Sequence, residues 1–298
     1  MMMKTIAEKI KEGKTLVSDG AWGTFLQQKG LKPGECPELW NLEHPEDVFD
    51  IAKSYIDSGA DMIETNSFGG SAFKLKSYGL EDKVHEINKA AAEISRHAAG
   101  NDKHVLGSIG PTGKMIMMGD VTYEELYEAF KNQAIALAEG GADALVVETM
   151  SDLQEATAAV KACKENTGCE VICTMTFEKS GEKEYHTMMG VSPVDMLNEI
   201  ILAGADIIGA NCGNGIKNMV EITEIIRSVD KEIPILIHAN AGIPEYKDGK
   251  TIFPEDPTEM ASYVESLVCA GANVIGGCCG TTPEHIRQIA DAIKHRKG

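Results

Sequence analysis

Eight cysteines occur in this 298-residue chain, and three of them fall where they can meet. Cys212 closes the apolar run IIGANC, and the adjacent Cys278-Cys279 close VIGGCC. Three thiolates suit a zinc ion, with Zn–S bonds of ~2.3 Å, and leave a fourth tetrahedral position open for a substrate. A soft sulfur shell favours a soft incoming ligand, such as another thiol. Two blander readings stand beside this one. Cysteine is among the most buried residue types, so a GGCCG turn can simply need small side chains. The pair can also form a vicinal disulfide, which a reducing cytosol disfavours. The other five, Cys36, Cys163, Cys169, Cys173 and Cys269, lack paired ligand spacing and read as core or surface residues.

Two carboxylates end further apolar runs: Asp19 in TLVSD and Glu148 in ALVVET. Such a pair at one mouth can act as general acid and base, bind an ammonium group, or add ligands to a metal. Asp19 has the simpler alternative of capping the turn into Gly20. That alternative is weaker for Glu148, because a Glu closing a buried strand is costly without a cation or a donor. Glu64-Thr65-Asn66, Thr149, Asn211, His238 and Asn240 end apolar runs in the same way. Together they describe a ring of polar groups around one opening, in which His238 also reads as a core histidine.

The elements that would build this ring repeat. SGAD ends at Asp61, GGAD at Asp143, AGAD at Asp206 and AGAN at Asn273, each after a helical pattern and before an apolar run. A glycine just past a helix supplies a left-handed cap, and the run after it reads as a buried parallel strand. Strands are expected at 15–19, 62–65, 104–110, 144–149, 171–177, 207–212, 235–240 and 274–279. Helices are expected near 44–58, 82–99, 122–140, 151–166, 192–203, 216–229, 256–270 and 282–296. Four of them open on start signals: Thr122 with Glu125, Ser151 with Gln154, Ser192-Pro193 and Thr282-Pro283. Eight strand–helix units in about 250–300 residues predict a closed α/β barrel, (β/α)8, with an open doubly wound sheet as the alternative. Strands 6 and 8 are then separated by one strand, and at ~4.8 Å between neighbours the three thiols can come together. The long connections after strands 1, 3, 5 and 7 lie on the C-terminal face, where barrel enzymes keep their sites. No linker divides the chain, so residues 1–298 read as one domain.

Composition narrows the function. The formal net charge of −18 repels phosphate backbones and anionic surfaces, which excludes general nucleic-acid and membrane binding. An aromatic content of 5% argues against a platform for stacking bases. The N-terminal stretch MMMKTIAEKIKEGKT lacks the apolar core of a signal peptide, so a cytoplasmic chain with reduced cysteines is expected.

A series of motifs runs in order along nearly the whole chain: DGAWGTFLQ (19–27), ETNSFGGS (64–71), GSIGPTG (107–113), VETMSDLQEA (147–156), GANCGNG (209–215), HANAGIP (238–244) and GGCCGTTPEHI (276–286). The series resembles the homocysteine-binding domain of the homocysteine S-methyltransferases, and is closest to the first module of the cobalamin-dependent methionine synthases. The resemblance implies a zinc-dependent (β/α)8 TIM barrel with one Zn2+ per chain. Cys212, Cys278 and Cys279 would be its ligands. Asp19 and Glu148 would hold the amino group of homocysteine, main-chain amides near Gly20-Ala21 would receive its carboxylate, and Asn211 and Asn240 would line the substrate site. No general acid or base is implied, because zinc itself activates the thiol.

The methyl donor stays open at this level. A methyl-corrinoid protein, S-methylmethionine and betaine are all compatible, as are the reverse demethylation and a subunit that only presents a ligand. An unrelated barrel with a phosphate at its Gly-rich eighth loop is a further alternative. The length is expected to leave no room for folate or corrinoid modules, so any corrinoid would arrive on a separate partner. Residues 184–190 superficially echo a corrinoid-binding signature, but with Glu184 for Asp and an extra residue before Gly190. They read as a site-lining loop. Met115, Met117 and Met118 form an adaptable partner surface or pack on their own barrel. Trp22 and Phe25 cover the substrate or anchor the first loop.

Overall fold

The computed structural model describes residues 3–247 and 250–296. Eight parallel strands form the central sheet: β1 (Leu16–Val17), β2 (Met62–Glu64), β3 (His104–Ile109), β4 (Ala144–Met150), β5 (Glu170–Met175), β6 (Ile207–Gly215), β7 (Ile235–Asn240) and β8 (Val274–Gly277). Hydrogen bonding runs continuously from β2 through β3, β4, β5, β6, β7 and β8 to β1. The seam between β1 and β2 is bridged at Asp61, whose N–H donates to the Val17 carbonyl at 2.7 Å. The carboxylate of Asp61 accepts from Val17 N–H at 3.0 Å. The sheet is therefore a (β/α)8 barrel and not an open doubly wound sheet.

The four-residue repeat explains this geometry. Its glycines, Gly59, Gly141, Gly204 and Gly271, all have φ between 100° and 111°, which ends the preceding helix and turns the chain inward. The next acidic or amide residue then clasps two strands together. Asp143 accepts from Val105 N–H at 2.8 Å, Asp206 from Val171 N–H at 2.8 Å and Asn273 from Ile235 N–H at 2.9 Å. Asp61 does the same for Val17, so the barrel is four copies of one strand–helix–strand–helix unit closed by four like clasps.

Eight helices cover the strands: α1 (Pro45–Asp57), α2 (Val84–Ala99), α3 (Tyr123–Glu139), α4 (Leu153–Asn166), α5 (Pro193–Ala203), α6 (Ile216–Val229), α7 (Pro257–Ser262 and Val264–Ala270, broken at Tyr263) and α8 (Pro283–Lys294). Thr122 and Glu125 form the expected capping box on α3. The start of α4 is one residue later than its Ser151–Gln154 signal suggests. Asp152 is the cap, accepting from Gln154 N–H at 2.7 Å and Glu155 N–H at 3.1 Å. A carboxylate answers both the free amides and the positive helix end, which a hydroxyl does less well.

Ile6, Leu16, Met62, Leu106, Ala144, Val146, Ile172, Ile207, Leu236 and Val274 fill the barrel interior. Ile6 comes from a short N-terminal helix, Ile6–Lys11, that plugs the lower mouth. Glu170 holds that plug by accepting from Ile6 N–H at 2.6 Å and Ala7 N–H at 2.9 Å. The upper mouth is left to polar side chains and long loops. The first loop carries the helix Gly23–Lys29, and the fifth and seventh carry the hairpins Glu178–Gly181/Glu184–His186 and Glu245–Lys247/Lys250–Ile252. Among the described residues, no helix is long and apolar enough to cross a membrane.

Candidate active site and metal centre

A cavity of about 290 Å³ opens at the C-terminal ends of the strands. Its wall includes Gly20, Ala21, Trp22, Glu64, Ser108, Glu148, Thr149, Cys212, Cys278 and Cys279. The thiols of Cys212, Cys278 and Cys279 lie within 4.8 Å of one another, and the sulfurs of Cys212 and Cys279 are 3.9 Å apart. All eight cysteines are free, and the remaining five join no metal-type cluster among the described residues.

Local backbone irregularity aims these groups. The β6–β7 pairing shifts register between Asn211 and Gly215, and Cys212 there has φ 58°. The β4–β5 pairing shifts between Val147 and Met150, where Thr149 has φ 59°. Left-handed backbone at non-glycine residues costs of order 1–3 kcal/mol each and persists where surrounding structure holds it. Cys278 and Cys279 sit just beyond β8 rather than ending it, in a turn that Thr281 ties to the first loop. Thr281 Oγ1 donates to the Cys278 carbonyl at 2.8 Å and accepts from Ala21 N–H at 3.1 Å. A Cβ on Gly277 would lie 2.3 Å from that same oxygen, so this position needs glycine.

The thiols share protons. Hydrogen bonds from Cys278 and Cys279 pull Cys212 down to about 3, while those same contacts push Cys279 up to about 11 and Cys278 well above the usual thiol range. An ionised Cys212 thus opposes ionisation of the other two thiols. Ionising all three thiols requires a cation among them, and the soft donor set can hold a metal ion.

The carboxylates show the same want of positive charge. Burial raises Asp19 to about 6 and Glu148 to about 7, and it lifts Glu64 well above the usual range. Among the described residues, no lysine or arginine lines the cavity. Ser108 Oγ donates to Glu148 Oε1, and Asn211 Nδ2 lies 3.5 Å from Glu148 Oε2. Asp19 accepts from Trp22 Nε1 at 2.9 Å, Glu64 N–H at 3.0 Å and Ser18 Oγ at 3.3 Å.

The residues singled out from sequence divide into two groups. Gly20, Ala21, Glu148 and the three cysteines stand on the cavity wall. Asp19, Asn211 and Asn240 lie directly behind it, at 1%, 0% and 3% exposure. Asn211 Oδ1 accepts from Thr149 N–H at 2.8 Å and Thr174 Oγ1 at 2.7 Å, so it braces the β4 bulge. Asn240 keeps a buried, unpaired Oδ1. The Ala21 amide is already engaged by Thr281, which leaves Gly20 of that pair. Glu64 and Thr149, which the sequence placed in the polar ring without a specific role, stand on the cavity wall, as does Ser108, which sequence reasoning passed over. The signal for Glu64 was the one applied to Glu148, an acid closing a buried strand.

The loop at 184–190 is not on the cavity wall, contrary to its expected lining role. Tyr185 OH donates to Glu221 of α6 at 2.6 Å and Thr187 Oγ1 to the Ser151 carbonyl, just past β4, at 2.7 Å, which pin the segment at the rim of the mouth, off the cavity wall. Met117 and Met118 are 72% and 69% exposed, while Ile116 of the same loop packs against the core, so the loop rests on its own barrel and presents these two methionines outward. His238 is buried as a core histidine, and it also reaches the cavity.

The family described as homocysteine S-methyltransferase matches residues 16–293. The methionine synthase of Mycobacterium leprae (strain TN) is 31% identical over 312 residues, covering 98% of this chain and 25% of that protein. The methionine synthase of Mycobacterium tuberculosis (strain ATCC 25618 / H37Rv) is 31% identical over 304 residues, covering 95% and 25%. The chain thus spans about a quarter of the length of these curated relatives. Among solved structures, the oxidized form of the homocysteine methyltransferase MmuM from Escherichia coli superposes with a TM-score of 0.77 at 22% identity, covering 97% of this chain and 99% of that one. Its metallated form superposes with the same TM-score over 95% of this chain and 98% of that one. These structures share the fold.

Proposed function

Because the chain belongs to the homocysteine S-methyltransferase family, and so to the methyltransferases, we propose that it methylates the thiol of homocysteine to give methionine at this cavity. The carrying observation is the meeting of three thiols with buried carboxylates in one pocket that, among the described residues, no lysine or arginine lines. Such a pocket selects a cation beside a soft metal centre, and homocysteine brings an ammonium group and a thiol separated by the α-carbon and two methylenes.

Cys212, Cys278 and Cys279 would hold one Zn2+. When bound, zinc supplies the charge that keeps a thiol of ordinary pKa ~8.5 ionised near neutral pH. Glu148 and Asp19 hold the ammonium group, with Ser108 and Asn211 orienting Glu148 and Trp22 orienting Asp19. The Gly20 amide receives the substrate carboxylate. Asn240 lines the substrate site beside these groups. No side chain acts as general acid or base: the homocysteine sulfur forms the new S–CH3 bond as the bond between methyl and its carrier breaks.

The donor in this reading is a methyl-corrinoid protein supplied as a separate partner. A methyl group must enter from the mouth, and the loops there expose Phe68, Met117, Met118, Met188, Ile243 and Tyr246. Flexible methionines adapt to a partner surface, and the chain's charge of −18 favours a partner with a basic face. Residues 1–298 are read as one homocysteine-binding barrel domain. Eight free cysteines suit a reducing, cytoplasmic setting.

The test is a donor panel on zinc-loaded protein: methylcobalamin, a methylated corrinoid protein, S-methylmethionine and betaine, each with homocysteine. Methionine formed fastest from the corrinoid protein is the expected result. Full activity in protein stripped of metal contradicts the zinc assignment, and activity only with betaine or S-methylmethionine contradicts the donor.

A further inference from the structure

Glu64 stands on the cavity wall, and its carboxyl group accepts no hydrogen bond from any described residue. Its side chain is only 10% exposed, and Oε1 is buried without a partner. His238 Nδ1 lies 3.4 Å from that oxygen, but burial pushes this imidazole down to about 4, so it is neutral at pH 7 and brings no counter-charge. The neighbouring acids differ. Asp19 already accepts three hydrogen bonds, and Glu148 is oriented by Ser108 and Asn211. Glu64 is held in place through its backbone, where N–H donates to Asp19 at 3.0 Å and the carbonyl accepts from Ser95 Oγ at 2.9 Å. The main chain is fixed, and the carboxyl group is left for something that enters the cavity.

We propose that Glu64 is a specificity-determining residue whose carboxylate takes an N–H of the substrate's ammonium group, so that the site accepts α-amino thiols and rejects thiols without an amine. This rests on the reading of the cavity as a homocysteine site. A buried acceptor discriminates strongly because a ligand lacking the donor leaves it unpaired. The amine of homocysteine carries three N–H groups, enough for Glu64 to share it with Glu148 and Asp19.

The test compares homocysteine with 4-mercaptobutyrate, the same thiol acid without the amine, by calorimetric binding to zinc-loaded protein. Wild type should prefer homocysteine. Glu64→Gln should narrow the ratio of the two affinities at least ten-fold, through weaker homocysteine binding, while 4-mercaptobutyrate binding changes little. Glu64→Asp keeps the charge and should restore part of the preference, which separates charge from side-chain packing. A Gln variant that loses affinity for both thiols equally, or keeps the wild-type ratio, overturns the role of Glu64. Wild-type protein that binds neither thiol overturns the homocysteine reading itself.

Discussion

Replacing Glu148 by Gln should stabilise the empty protein, and only at higher pH. Glu148 titrates at about 7 in the fold because burial, Asp19 and Cys212 oppose its charge, against 4.5 for the unperturbed group. A raised folded pKa means that the folded state binds the proton more tightly than the unfolded chain. The stabilising contribution of that proton is fully present below about pH 4.5 and lost as pH rises through about 7. At about 1.4 kcal/mol per pKa unit, the difference between pH 5 and pH 8 amounts to roughly 2 kcal/mol. For a domain of this size, that corresponds to a shift in Tm of roughly 4–8 °C. The assay is thermal unfolding of metal-free, reduced protein, wild type and Glu148→Gln, at both pH values. The variant should be close to wild type at pH 5 and clearly more stable at pH 8. Zinc and homocysteine should erase its advantage, because the ammonium group then neutralises the native carboxylate. Equal shifts at pH 5 and pH 8 would refute the assignment of Glu148 as a carboxylate strained by the lack of a cation.

Cys212→Ser should reduce zinc from about one ion per chain to a small fraction, read by elemental analysis after dialysis, and abolish homocysteine methylation. Asp206→Ala should cost about 1–3 kcal/mol in denaturant unfolding by orphaning the Val171 N–H, whereas Asp206→Asn should be nearly neutral, as Asn273 already does this work in the fourth repeat. Met117→Glu combined with Met118→Glu should slow methyl transfer from a corrinoid protein about ten-fold and leave transfer from free methylcobalamin unchanged.

The barrel was legible because its signals are local. Each glycine of the GAD repeat sits where a helix must end, and each acid after it sits where a strand must be clasped. The cysteine centre was legible for a related reason, since strands 6 and 8 bring their ends together once the barrel is recognised. What sequence could not resolve depends on side-chain direction at irregular backbone. The bulge around Cys212 turns Asn211 into the wall while Cys212 faces the cavity, and periodicity carries no trace of such a bulge. Asp19 likewise is held by Trp22, Glu64 N–H and Ser18 at the edge of the cavity, partners that no local pattern reveals. Residues 184–190 were assigned to the wall because they follow a barrel strand. Tyr185 and Glu221 instead draw them outward, through a long-range contact that no local pattern reveals. Glu64 needed only the argument already made for Glu148.

The central claim is that this cavity ionises the homocysteine thiol beside three cysteines. The most direct test counts the protons released when homocysteine binds zinc-loaded protein at pH 7, by calorimetry in buffers of different ionisation enthalpy, minus the count for methionine. Methionine carries the same ammonium and carboxylate groups without a free thiol, so the subtraction removes protons released by the buried carboxylates. The expected difference is about one proton per bound homocysteine, lost in Cys212→Ser. A difference of zero in wild-type protein would contradict the account.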